Sequence, residues 1–170
     1  MVEAGYPGGK GIPIISLKST ATYQGVMEFV QKSWERLGLT VKIDNMDGGA
    51  LREMASKGEA NMWRASWIAD YPDGENYLGL FSSSQIPPNG PNRMRYSNSA
   101  FDSLFVAAQK EPADSLRYLM YQEMERMMLI DAPVVPLYYD KIIRIISPRV
   151  KGLQTNATNM LYLKRVEVGE

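Results

Sequence analysis

Apolar and polar residues alternate along this chain with two periods. Ile12, Ile14, Ile15 and Leu17 form a short β-branched run that predicts a strand despite Pro13 near its start. From Tyr23 to Leu37 the apolar residues Val26, Phe29, Val30, Trp34 and Leu37 recur every three or four positions, the spacing of one helical face. Thr22 is placed to cap that helix, and Gly38 to supply a left-handed stop. Leu39, Val41 and Ile43 then alternate with polar residues, which is strand spacing. The three elements predict a strand, helix, strand unit closed by a right-handed crossover onto one sheet. Residues 49–57 predict a short helix ended by Gly58, and Ala60 to Ile68 a third, tryptophan-bearing strand.

Beyond an acidic turn, a short helix is predicted over Tyr77 to Phe81. SSSQIPPNGPNRMRYSNS follows, where three prolines and a glycine argue against regular structure. Helices are predicted from Ser99 or Ala100 and again after Pro112, a residue suited to a first helical turn. In the second of these Leu116, Met120, Met124, Met127 and Met128 share a face, read as core packing, with a methionine-rich docking surface as the alternative. VVPLYY, IIRII and Leu161 to Val166 supply the last extended candidates.

At 170 residues the prior is one domain, spanning 1–170, and the α and β signals alternate as in an α/β fold. No apolar run approaches the roughly 20 residues that span a bilayer. Lysine plus arginine equals aspartate plus glutamate at 19 each, so no net field holds a polyanion, and no nucleic-acid partner is expected. Cysteine and histidine are both absent, which removes thiol nucleophiles, serine–histidine dyads, common zinc ligand sets and imidazole acid–base catalysis. The opening MVEAGYPGGKG shows no basic stretch leading into an apolar core, so the expectation is either a cytoplasmic protein or a piece of a longer chain.

Few motifs carry chemistry. GYPGGKG resembles a phosphate loop, but the pattern needs glycine where Ala4 stands and serine or threonine where Gly11 stands. Asp70, Asp73 and Glu75 invite comparison with the paired carboxylates of glycosyl transfer, although close acids are ordinary in turns. They lack the ligand spacing of a calcium loop. Asn156-Ala157-Thr158 fits a glycosylation acceptor, a common chance match. Asp70, expected directly after the tryptophan-bearing strand, is either a turn or cap residue or a carboxylate awaiting a cation.

The longer pattern W-x-A-D-Y-P-D-x-x-N-Y-L, Trp67 to Leu78, resembles a segment of the family 5 extracytoplasmic solute-binding proteins, the oligopeptide- and dipeptide-binding proteins of peptide ABC transporters. AGYPGGKGIP, Ala4 to Pro13, is similar to the stretch before the first strand of that family's C-terminal lobe. Phe101 to Tyr139, ending in DAPVVPLYY, resembles its helix pair and following strand, and VKGLQTN, Val150 to Asn156, its closing segment. The resemblance implies a periplasmic-binding-protein-like (type II) lobe with a mixed sheet flanked by helices. It also implies that residues 1–170 are most of the C-terminal lobe of a longer, two-lobed chain.

By that resemblance the chain is the substrate-binding component of an ABC importer and not an enzyme. Asp70 would receive the free amino terminus of a peptide, Trp67 would line the pocket, and Arg64 would stand near a peptide carboxylate. Tyr71 and Asn76 would form pocket rim or turn structure, and Trp63 either pocket wall or core. No cofactor, metal or catalytic residue is implied. The implied partners are a peptide, permease subunits and the N-terminal lobe of the same chain, in a periplasmic or extracytoplasmic setting; any lipid anchor would lie in the absent N-terminal region. Gly74 departs from the family's common turn and leaves peptide length and side-chain preference open. The competing readings are a carboxylate-dependent hydrolase or transferase and a sensory or scaffold module on the same fold.

Overall fold

A computed structural model describes residues 1–169. The chain falls into two compact units, one of Met1–Ser66 with Leu80–Asn98, the other of Trp67–Gly79 with the residues from Ser99 on.

The first unit is built on a three-stranded parallel sheet in the order β2-β1-β3, with β1 at Ile15–Ser19, β2 at Val41–Asn45 and β3 at Met62–Trp63. Leu17 stands opposite both Ile43 and Met62, so one central residue sets the register on both sides. Helix α1, Gln24–Glu35, connects β1 to β2, and α2, Gly48–Lys57, connects β2 to β3. Both crossovers are therefore parallel, as the alternating elements predict.

The core joins Leu17 and Val41 of the sheet to Met27 and Val30 of α1, with Val26, Trp34 and Ile43 packed at its edge. Burying each of these large side chains contributes about 1.5–3 kcal/mol. The buried stripe of α1 is thus Met27, Val30 and Trp34; Phe29 and Leu37, which fit the same spacing, are exposed. Thr22 caps nothing, because it lies inside a 3-10 turn, Ala21–Tyr23, and α1 begins directly after it, at Gln24, with no side-chain cap. The stop is as expected: Gly38 has φ 84°, its amide donates to Glu35 and the Leu39 amide to Trp34, a Schellman arrangement. Gly38 is also packed against the N-terminal turn, since a Cβ there would lie 2.2 Å from the Gly8 carbonyl oxygen.

Helix α2 starts on Asp47, whose carboxylate accepts from the Gly49 and Ala50 amides at 2.8 and 3.1 Å. Those amides hold the Asp47 carboxyl below the usual carboxylate range. The helix buries Leu51 and Ala55 and ends on Gly58, φ 79°. The proline-rich stretch forms one 3-10 turn, Ser83–Gln85, and is otherwise irregular yet ordered around Asn92. That fully buried side chain donates to the Ser82 and Tyr96 carbonyls and accepts from the Tyr96 amide.

Strand boundaries are corrected in two places. Strand β1 starts at Ile15, where the chain first meets its neighbour through the Ile15 amide and the Thr40 carbonyl; Ile14 is exposed. The tryptophan-bearing strand is far shorter than Ala60 to Ile68. Its pairing runs through Met62 and Trp63, with a last bond from the Arg64 amide to the Lys18 carbonyl.

The second unit packs the short helix α3, Glu75–Leu78, and helix α4, Ser99–Ala108, against the long helix α5, Asp114–Asp131. Its buried side chains include Leu78, Phe101, Phe105, Ala108, Met124 and Met128, with the two phenylalanine rings stacked at 6.4 Å. The methionine face is core at Met124 and Met128, half-buried at Met120 and Met127, but exposed at Leu116. Pro112 lies before the helix, whose N-cap is Ala113.

VVPLYY and IIRII form no strands. Residues 132–149 have no helix or strand, and Tyr139, Ile143 and Ile145 are almost wholly exposed. Their composition suits buried strands, but a strand exists only where a neighbour receives its hydrogen bonds, and none does so among the described residues. Leu161 to Val166 likewise contains a 3-10 turn, Leu163–Arg165; extended pairing begins only at β5, Glu167–Val168, antiparallel to β4, Val150–Lys151. Parallel and antiparallel pairings thus occur in separate sheets.

Candidate functional site

The acidic turn belongs to the second unit, where polar contacts fix it to the helices. Asp73 accepts from the Glu75 amide at 2.9 Å, and its other oxygen lies 3.7 Å from the Arg117 guanidinium on α5. Arg117 is also bonded to Asp114 at 2.7 Å and to the Glu111 carbonyl. Tyr121, one helical turn further along α5, is pushed up to about 12, first by burial and then by its hydrogen bond to Asp73. Glu75 accepts from the Tyr71 hydroxyl through one oxygen and from Gln109, just beyond the end of α4, at 3.0 Å through the other. The Glu75 carboxylate, seconded by burial, raises the Tyr71 phenol above its ordinary value, while the Asn76 side chain opposes the shift.

Two of the three clustered acids are therefore committed to the fold. Asp70 is different. It is exposed, and its carboxylate has neither a hydrogen-bond partner nor an ion pair among the described residues. The expectation that it directly follows a strand in a poorly solvated position is overturned, because β3 stops at Trp63 and an irregular segment separates the two. Only its backbone is tethered: the Asp70 amide donates to the Asn76 side-chain oxygen at 3.3 Å. The same oxygen accepts from the Trp67 indole at 2.7 Å, which leaves Trp67 half-buried beside the acid's backbone.

Trp67, Asp70 and Tyr71 thus share one short turn in the second unit. Arg64 belongs to the first. There its guanidinium lies over the Tyr23 ring, 3.3 Å from the centroid, and donates to Ser66. It has no carboxylate partner among the described residues, so the surface ion pair that would explain it structurally is not formed. Trp63 is half-buried on β3.

Sequence reasoning gave Asn76 too little weight and missed Arg117, Gln109 and Tyr121. Asn76 could be found from W-x-A-D-Y-P-D-x-x-N as the one side-chain amide in a turn otherwise rich in acids. The other three had no local signal, since they reach the turn only through the fold; Gln109 and Glu75 are 34 positions apart.

An arrangement in which an exposed carboxylate, unpaired among the described residues, shares a turn with an indole suits a cationic ligand with an apolar neighbour. It lacks the pair of free carboxyl groups that glycosidic hydrolysis uses.

Residues 1–89 match the family model for bacterial extracellular solute-binding proteins, family 5 Middle. The periplasmic murein peptide-binding protein MppA of Escherichia coli K12 is 28% identical over 155 residues, covering 90% of this chain and 28% of that protein. The glutathione-binding protein GsiB of Salmonella typhimurium LT2 is 30% identical over 156 residues, covering 88% and 30%. The chain therefore spans less than a third of the length of these relatives. Among solved structures, the ABC transporter-associated periplasmic binding protein DppA of Helicobacter pylori, in complex with the peptide STSA, superposes with a TM-score of 0.78 at 27% identity, over 99% of this chain and 33% of that one. The structure of the E. coli murein tripeptide binding protein MppA gives 0.87 at 24% identity, over 99% and 33%, a likeness of fold. The α/β, periplasmic-binding-protein-like architecture agrees with these neighbours.

Proposed function

The chain belongs to the bacterial extracellular solute-binding proteins of family 5, and from that premise we propose that it is most of the C-terminal lobe of a two-lobed, non-enzymatic receptor that captures peptides for an ABC importer. The observation that carries this reading is the carboxylate of Asp70, unpaired among the described residues and held on a turn whose other acids are occupied. A peptide's α-ammonium would complete it. Trp67 would lie along the adjoining apolar part of the ligand, and Tyr71 would form the rim.

The N-terminal lobe of the same chain would close over the bound peptide, as lobes of such proteins do about hinge strands. Closure supplies the energetics. Asp70 is solvated while the cleft is open; once covered, an unpaired carboxylate becomes costly, so only ligands that bring a cation permit closure. Backbone hydrogen bonding and hydrated pockets would leave side-chain preference broad. Periplasmic or extracytoplasmic delivery to permease subunits follows from the same reading. The hydrolase alternative finds no support in this geometry, since Asp73 and Glu75 are engaged by Arg117, Tyr121, Tyr71 and Gln109.

The test is calorimetry on the full-length protein carrying this lobe, titrated with a di- to pentapeptide library and with the same peptides N-acetylated. Binding confined to the free-amine set is expected. Equal binding of both sets, or of neither, refutes the proposal.

A further inference from the structure

One side chain holds two of the residues assigned to the ligand. Asn76 Oδ1 accepts the Trp67 indole N–H at 2.7 Å and the Asp70 backbone N–H at 3.3 Å. Asn76 is itself fixed by helix α3: its amide donates to the Asp73 carbonyl at 3.2 Å, and the helix is anchored by the buried Leu78. The turn thus converges on one amide group that stands on a packed element.

We propose that Asn76 is a positioning residue that sets the joint pose of Trp67 and Asp70, and so determines selectivity for ligands with a protonated amine. This rests on the peptide-receptor reading above. The chemistry explains why an amide stands there. A carbonyl oxygen has two lone pairs and serves two donors at once without carrying charge. The NH2 at its other end remains free to donate, which a carboxylate cannot do. An aliphatic residue would leave both N–H groups unpaired and the Asp70 backbone untethered. Aspartate would keep both acceptors while adding a negative charge near Asp70.

Two measurements test the assignment separately from the receptor reading. In the 170-residue chain, Asn76→Ala should move the NMR signals of the Trp67 indole and the Asp70 amide and raise their hydrogen exchange about tenfold or more, leaving the Trp34 and Trp63 indoles in place. Asn76→Asp should restore both. Unmoved Trp67 and Asp70 signals overturn the proposal whatever the protein binds. Should Asn76→Ala not fold, Asn76→Gln, which displaces the amide by one methylene, gives the same readout. In the full-length protein the quantity is the affinity ratio of a free-amine peptide to its N-acetylated form. Asn76→Ala should lower that ratio about tenfold, and Asn76→Asp, which keeps the acceptors and adds a negative charge near Asp70, should hold or raise it. A loss of affinity equal for both peptides is only structural and overturns the positioning role. If the unaltered protein shows no amine preference, the receptor reading fails and the exchange measurement alone decides for or against Asn76.

Discussion

Asp70 and Asp73 are neighbours in one turn with opposite surroundings, so substituting each should leave opposite signatures. Asp70→Asn keeps the side-chain shape and removes a charge that has no partner among the described residues, while the tether to Asn76 runs through the backbone amide and survives. Stability of the chain should therefore change by no more than about 0.5 kcal/mol, the range for exposed positions without specific contacts. Peptide binding by the full-length protein should lose about 2–5 kcal/mol, the cost of deleting one member of a covered charge pair. That is a loss in affinity of roughly 30-fold to a few thousand-fold. Asp73→Ala removes an acceptor for the Glu75 amide and a carboxylate that faces Arg117 and Tyr121, so it should cost about 1–3 kcal/mol of stability. Urea denaturation of the chain measures the stabilities, and calorimetry of the full-length protein the affinities. A drop of more than about 1 kcal/mol in the stability of Asp70→Asn would mean that the acid holds the fold rather than a ligand. Unchanged affinity for a free-amine peptide would mean that the charge is not what the ligand meets.

Gly38→Ala should destabilise the chain by about 2–4 kcal/mol, because a positive φ adds to a Cβ placed 2.2 Å from the Gly8 carbonyl oxygen. Gly58→Ala, with a similar φ but only the end of the Arg95 side chain in the way, should cost about 1–2 kcal/mol; equal losses in urea denaturation would refute the close-approach argument. Tyr121 gives an alkaline signature. Its folded-state pKa lies above the ordinary phenol value, so its contribution is complete below about pH 10 and is lost as pH rises toward 12. Melting temperatures of the chain and of Tyr121→Phe, taken from pH 9 to 12, should therefore converge as pH rises; a constant gap between them would remove Asp73 and burial as the cause.

The strand–helix–strand–helix–strand order of the first unit was legible because each element carries its own local period: Leu17 and Val41 within strands, Met27, Val30 and Trp34 along α1, glycine at both helix ends. The errors fall where the deciding partner is distant. Phe29 has the right spacing for α1's buried face, yet faces solvent, and only the position of the sheet decides which stripe is covered. Strand β3 ends early because its pairing with β1 ends at Lys18 and Trp63, which no pattern in Ala60 to Ile68 reveals. At the site, Asp70 was visible through the resemblance of its motif, while its solvation was not. The division of labour among Asp70, Asp73 and Glu75 depends on α4 and α5, which bring Gln109, Arg117 and Tyr121 to the turn.

The irregular stretch after α5 has a practical consequence. Ile142, Ile143, Ile145 and Ile146 present to water β-branched side chains and a backbone with no ladder partner among the described residues, a ready template for intermolecular cross-strand association. Lys141, Arg144 and Arg149 interrupt and flank that stretch and act as electrostatic gatekeepers against it. Colloidal behaviour of the chain is accordingly governed by ionic strength: added salt screens the gatekeepers, and light scattering should rise with it before any loss of helical signal.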